Sequence, residues 1–181
     1  AKLNVERLQQ MDLRKNLTPA ILSYEGIQYR YMAPGVFTEE QLAYVQYHLR
    51  ILSGFYGLLR PFDGVTPYRL EMQAKFRTDR GNGLYDFWDS LLYENLVADT
   101  DCILNLASKE YSRCIEKFLK PDIRYVTVVF GELRDGRIIQ KGTLAKMARG
   151  EMVRYMAEHQ IEDVEQVRKF DRLSFQYAPE Y

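Results

Sequence analysis

No apolar run in the 181-residue sequence approaches the roughly 20 residues that a membrane-spanning helix needs. No leader-like stretch opens the chain, so a cytoplasmic protein without a membrane partner is expected. Cysteine is scarce: the two present, Cys102 and Cys114, have no CxxC spacing. That excludes a disulfide framework or a thiolate metal site and suits a reducing compartment. Histidine is equally scarce, and His48 and His159 stand too far apart to suggest a metal cluster; no metal and no cofactor is expected. Net charge is missing too, with 25 basic against 25 acidic residues. Nothing global therefore draws nucleic acid or a membrane surface, and any electrostatic partner must be recruited by local clustering. Internal repeats and low-complexity tracts are also missing.

What is there fits one domain spanning residues 1–181. Residues 1–15, with Leu3, Leu8 and Met11, read as a weak amphipathic helix. Ala20 to Tyr24 reads as a short strand ended by Gly26, and Tyr29 to Met32 is ambiguous. Thr38 and Gln41 have capping-box spacing, and Leu42, Val45, Leu49 and Leu52 continue as one stripe, so a helix is predicted from Glu39 to Leu52. Leu84, Phe87, Trp88, Leu91, Leu92 and Leu96 mark another amphipathic helix. Cys102 to Ala107 reads as a buried strand running into a helix capped by Ser108. Tyr125 to Phe130 is the most β-like run, and Asp135-Gly136 supplies hairpin turn chemistry into Arg137–Lys141. Thr143 is positioned to cap a last long helix to about His159. Helices and strands alternate only loosely and include an antiparallel hairpin, so an α+β fold is expected, several helices around a small mixed sheet.

The stretch from Leu49 to Phe76 organises the chain. It holds three glycines and two prolines, yet it is threaded with Phe55, Tyr56, Leu58, Leu59, Phe62, Tyr68, Leu70 and Met72. A long connection of this kind is functional or disordered, and its apolar content argues against disorder. Arg50, Arg60 and Arg69 flank its glycines, and arginine's planar fork suits phosphate. A second basic group lies on the last helix. At 100° per residue Lys146, Arg149 and Arg154 fall at about 0°, 300° and 80°, with Gly150 near 40° between them. That strip would let a phosphate approach closely; the plain alternative is a solvated helix face. A third group, Asn105, Ser108 and Lys109, sits where a strand feeds a helix N-terminus, a place that binds anions in many α/β proteins. Ser108 also serves as an ordinary cap. Glu71 and Glu110 are candidate acids or bases without an assignable partner. Tyr44, Tyr47, Phe55 and Tyr56 could stack on bases, although aromatics at helical spacing usually form core.

Four stretches together resemble the YaaA family of bacterial peroxide-stress proteins. They are HLRILSGFYGLLRPFDGVTPYRLEM (His48–Met72), LYDFWDSLL (Leu84–Leu92), ILNLASKEY (Ile103–Tyr111) and KMARGEMVRY (Lys146–Tyr155). The resemblance implies a single mixed α/β domain in the cytoplasm that binds DNA and protects against hydrogen peroxide, with limitation of free intracellular iron as the outcome. The family also begins with a strand and a Ser-Pro-Ala-Lys segment. Neither is found here, which suggests a trimmed piece lacking the N-terminal strand segment and the extreme C-terminus. A helix-hairpin-helix DNA-binding element is implied as well. It would use the helix ending at Leu52, the hairpin Ser53-Gly54-Phe55-Tyr56-Gly57 and a second helix starting at Leu58. The glycines of such a hairpin are usually spaced Gly-x-Gly; here Gly54 and Gly57 stand one residue further apart, and Pro61 shortens the second helix.

The leading expectation is a DNA-binding protein of the peroxide stress response with backbone-directed, largely sequence-independent contacts. Its binding residues would be Arg50, Ser53, Gly54, Gly57, Arg60, Arg69, Lys146, Arg149, Gly150 and Arg154. The alternative is an enzyme acting on a nucleotide or another phosphorylated small molecule, with Glu71, Asn105, Ser108 and Lys109 around its site. A third possibility is a stress-response interaction protein with no nucleic-acid role. The sequence leaves oligomeric state open.

Overall fold

The computed structural model describes Arg7, residues 11–75 and residues 77–179. In chain order its first half contains β1 (Thr18–Pro19), α1 (Ala20–Ser23), α2 (Ile27–Met32), α3 (Glu39–His48), β2 (Ile51–Ser53), β3 (Gly57–Leu59) and β4 (Gly64–Val65). There follow β5 (Arg77–Thr78), β6 (Gly81–Asn82), α4 (Leu84–Trp88), α5 (Leu91–Val97), β7 (Cys102–Asn105), α6 (Lys109–Glu116) and β8 (Arg124–Thr127). The last part contains β9 (Glu132–Arg134), β10 (Arg137–Ile139) and the long helix α7 (Gly142–Glu158), then short 3₁₀ turns. The architecture is α+β. Among the described residues its strands form five two-stranded sheets, of which only β7 with β8 is parallel.

The chain divides into two compact units, one built from residues 1–23 and 50–127, the other from 24–49 and 128–181. In the first unit, Met72, Leu84, Leu92, Tyr93, Cys114 and Ile115 form a buried cluster, with Leu58, Trp88, Ile103 and Tyr125 against it. β1 pairs antiparallel with β4, and α1 follows at once, its first amides donating to Asp63 and Pro61 carbonyls. The strand expected from Ala20 to Tyr24 is thus a helix of one turn. β7 meets β8 in register from Cys102–Arg124 to Asn105–Thr127, as its apolar run suggested. The single helix expected from Leu84 to Leu96 is two, because Asp89 takes a positive φ of 43° and ends α4.

In the second unit, α2 and α3 pack on α7. Buried Met32, Val45, Ala148, Met152, Val153 and Ala157 form that core. α3 begins as the sequence predicts: Thr38 Oγ1 accepts the Gln41 N–H at 3.3 Å, and Gln41 Oε1 accepts the Thr38 N–H at 3.0 Å. It ends earlier, at His48. The β9–β10 hairpin turns on Asp135 and Gly136, both with positive φ (50° and 73°), the geometry that a two-residue type I′ turn demands. α7 starts one residue before Thr143, with Lys141 at the cap position and no side-chain cap bond. The helix expected over residues 1–15 lies mostly outside the described residues; residues 11–17 form turns and bends.

Candidate functional site

The hairpin that the resemblance placed between two helices lies between two strands. β2 and β3 pair antiparallel, Ile51 with Leu59, Leu52 with Leu58 and Ser53 with Gly57. Ile51 and Ser53 are buried while Leu52 between them is less so. This period of two competes with the helical spacing of Leu49 and Leu52, and it prevails. The helix-hairpin-helix reading is therefore corrected to a β-hairpin with a three-residue loop, Gly54-Phe55-Tyr56.

The hairpin's polar and glycine residues are taken up by the protein itself. Ser53 is 1% exposed, and its Oγ accepts the amides of Phe55 at 3.2 Å and Tyr56 at 2.9 Å. With both lone pairs engaged, its proton is left for the Tyr68 phenol oxygen 2.5 Å away. Phe55 and Tyr56 rings close over Tyr68 at centroid distances of 5.2 and 5.3 Å. A Cβ at Gly54 would stand 2.7 Å from the Leu70 carbonyl oxygen. One at Gly57, where φ is +80°, would stand 2.9 Å from the Trp88 ring. The glycines make room for the protein's own backbone and indole, and the Ser53 hydroxyl is engaged within the hairpin. Trp88 Nε1 completes the arrangement by donating to the Gly54 carbonyl at 3.1 Å.

The arginines around this hairpin differ in fate. Arg60 faces Asp99 at 3.2 Å, and Arg69 reaches Glu71 at 4.0 Å. Both pairs are exposed, and such pairs contribute little to stability. Arg50 is half-buried at the start of β2.

The residues of the alternative small-molecule site are partly brought together. Asn105 is buried; its Nδ2 donates to Thr127 Oγ1 at 3.2 Å, and its Oδ1 accepts the Ala107 amide at 2.9 Å. Asn105 thus ties the ends of β7 and β8. Ser108 holds the cap position of α6 without a side-chain cap bond, and Lys109 is exposed. The segment after Glu71 is fastened to the first turn of α6, where Glu110 Oε1 accepts the Gln73 amide at 3.2 Å. Sequence reasoning missed Tyr111 here. Burial, then the Glu110 carboxylate and the Tyr68 phenol, push its pKa up to about 12 against a hydrogen bond from the Met72 backbone. Its phenol therefore stays protonated at neutral pH. Cys114 is likewise held as a thiol, burial pushing it up to about 11, which leaves it unsuited to thiolate chemistry with peroxide.

On α7 the basic strip separates into three outcomes. Gly150 is buried beneath α2: a Cβ there would lie 2.1 Å from the Gln28 carbonyl oxygen and 2.8 Å from the Met32 nitrogen. Gly150 is therefore corrected from a phosphate-facing gap to a helix crossing point. Arg154 donates to Glu158 at 2.7 Å, and the other oxygen of Glu158 takes Arg172. Lys146 remains exposed. Arg149 is the exception. It is half-buried, and its Nε is enclosed with no hydrogen-bond partner among the described residues. Burial lowers its pKa. The signal for this placement was in the sequence. Val153 and Ala157, 5% and 0% exposed, carry the apolar stripe round to the side where Arg149 and Gly150 stand.

Among the described residues, no group of three or more His, Cys, Asp or Glu side chains could hold a metal ion. No helix there is long and apolar enough to cross a membrane. A family model described as peroxide stress protein YaaA matches residues 1–181. A UPF0246 protein of Lachnoclostridium phytofermentans is 62% identical over 177 residues, covering 98% of this chain and 69% of that protein. A UPF0246 protein of Desulfitobacterium hafniense is 60% identical over 177 residues, covering 98% of this chain and 70% of its own. One of Pediococcus pentosaceus is 56% identical over the same length and with the same two coverages. The chain belongs to the YaaA family of peroxide stress proteins.

Proposed function

We propose that this protein serves the peroxide stress response in the cytoplasm by binding DNA through its phosphates, without reading base sequence, with limitation of free intracellular iron as the physiological outcome. One observation carries the phosphate reading: Arg149 is a half-buried guanidinium whose Nε has no partner among the described residues. Burying a charge is costly unless it is paired, and an anion that reaches the rest of this half-buried guanidinium from outside offsets that cost. Guanidinium matches phosphate through two parallel N–H bonds. Lys146, three residues earlier on α7 and exposed, adds a second cation on the adjoining turn.

The test is fluorescence anisotropy of a labelled duplex over a salt series. Affinity should fall with salt, and Lys146→Ala and Arg149→Ala should each lower the log–log slope by about one, one phosphate contact apiece. A salt-insensitive complex, or strong preference for one base sequence, overturns the reading.

A further inference from the structure

We propose that Arg149 is the seat of one terminal phosphate, the phosphomonoester of a DNA strand end or of a free nucleotide, and is not one of a row of contacts to internal phosphodiesters. The inference rests on the phosphate reading above and narrows it.

The enclosure of the side chain is the first ground. On α7, Arg149 lies between Ala145 and Val153 when viewed down the axis, about 40° from each. Both neighbours are buried, at 2% and 5% exposure. The arginine stem thus leaves the helix inside its buried arc, and its Nε is shut off. Its two Nη groups, at the far end of the side chain, are the donors that can grip one oxyanion end-on through two parallel bonds.

The second ground is the state of the other candidate cations. A protein that tracks a strand presents several cations to successive internal phosphates. Here Arg60 is engaged by Asp99, Arg69 by Glu71 and Arg154 by Glu158. A recessed guanidinium with Lys146 on the next turn is a seat for one group. An internal diester carries a single charge and is flanked by two sugars, which keep it from entering a recess. A terminal phosphate projects beyond its sugar and carries about −1.5 to −2 charges at neutral pH, enough for both Arg149 and Lys146. Oxidative cleavage of deoxyribose leaves strand ends of this type, which connects the seat to the family's stress.

The test uses the full chain and one labelled duplex made with and without a terminal phosphate, at fixed salt. The phosphorylated duplex should bind about tenfold tighter, the gain expected of one charge-assisted fork. Arg149→Lys keeps the charge and loses the fork; it should erase most of the difference between the two duplexes. Unfolding without ligand checks the variants. Arg149→Met should be at least as stable as the parent, because it removes an unpaired buried cation, and it should lose the thermal protection that inorganic phosphate gives the parent. If Arg149→Lys does not fold, Lys146→Ala on the exposed rim is read by the same comparison. Equal affinity for the two duplexes, with an ordinary salt slope, overturns the seat and leaves the backbone reading standing. Binding of a mononucleotide but of neither duplex, lost in Arg149→Lys, supports the seat, assigns it to free nucleotides and retires the DNA reading. If no oligonucleotide or nucleotide binds and inorganic phosphate gives no protection, both proposals fall.

Discussion

Gly150 is the residue where one missing methyl group decides the most. The gap left by its hydrogen is filled by the Gln28 carbonyl at 2.1 Å from where a Cβ would sit, and backbone cannot rotate away as a side chain can. Glycine in a helix interior costs about 1 kcal/mol relative to alanine, so an isolated α7 would gain from Gly150→Ala. In the folded unit the clash is larger, since overpacking costs about 1–3 kcal/mol or more. Gly150→Ala should therefore destabilise by about 2 kcal/mol net, measured as a lower midpoint in thermal or urea unfolding. A variant as stable as the parent would show that α2 does not press on this position. The neighbouring Arg149→Met should move stability the other way. Adjacent residues on one helix thus carry opposite signs, one a packing contact and one a held-back charge.

At the scale of elements, the β2–β3 hairpin is stabilised by its loop as much as by its strands. Ser53→Ala removes the acceptor of two amides and the partner of the Tyr68 phenol. Leaving buried polar groups unpaired costs about 1–3 kcal/mol, so stability should fall by that amount in denaturant unfolding. DNA affinity, compared where the variant is fully folded, should stay the same. Lost binding at unchanged stability would restore the phosphate-hairpin reading. The same hairpin shows what the sequence makes legible. Elements set by chemistry within four residues were readable: the Thr38–Gln41 capping box, the Asp135-Gly136 turn, the strand-to-helix passage at Asn105–Lys109. Ile51 to Ser53 was not, because Leu52 satisfies the helix period while Ile51 and Ser53 satisfy the strand period, and burial against distant residues chooses between them. The break at Asp89 was hidden for a related reason: Leu84 to Leu96 keeps a helical apolar stripe across a residue whose φ is positive. The candidate site divides likewise. The residue types at Lys146 and Arg149 were visible, and Val153 and Ala157 carry the apolar stripe round to Arg149, but how closely α7 is covered there is set by residues distant in sequence.

At the scale of the whole molecule, both units are assembled from separated stretches, residues 1–23 with 50–127 and 24–49 with 128–181, so each closes only through contacts distant in sequence. Within residues 128–181 of the second unit, an ionic network also ties the chain beyond α7 back onto that helix. Arg172, beyond the end of α7, donates to Glu151 at 3.1 Å and to Glu158, which also accepts from Arg154 at 2.7 Å. Burial works to raise the Glu158 pKa, but the bonds from Arg172 and Arg154 outweigh it and hold the carboxyl below its ordinary value of 4.5. A carboxyl whose folded pKa is depressed contributes stability that is fully present above the unfolded pKa and is lost as pH falls through the folded one. Glu158→Gln keeps the shape and removes that charge. Above the ordinary carboxyl range the variant should be less stable than the parent by about 1–2 kcal/mol, the cost of breaking partly buried charged hydrogen bonds. On acidification below 4.5 the two unfolding midpoints should converge, because the parent's Glu158 then takes up its own proton. Titrating groups outside the Arg154–Glu158–Arg172–Glu151 network are common to both proteins and cancel in the difference. Midpoints measured from neutral pH down to strongly acidic pH decide the matter. A gap that stays constant over the whole range would mean that Glu158 acts through shape alone, and that the tie between α7 and Arg172 is not ionic.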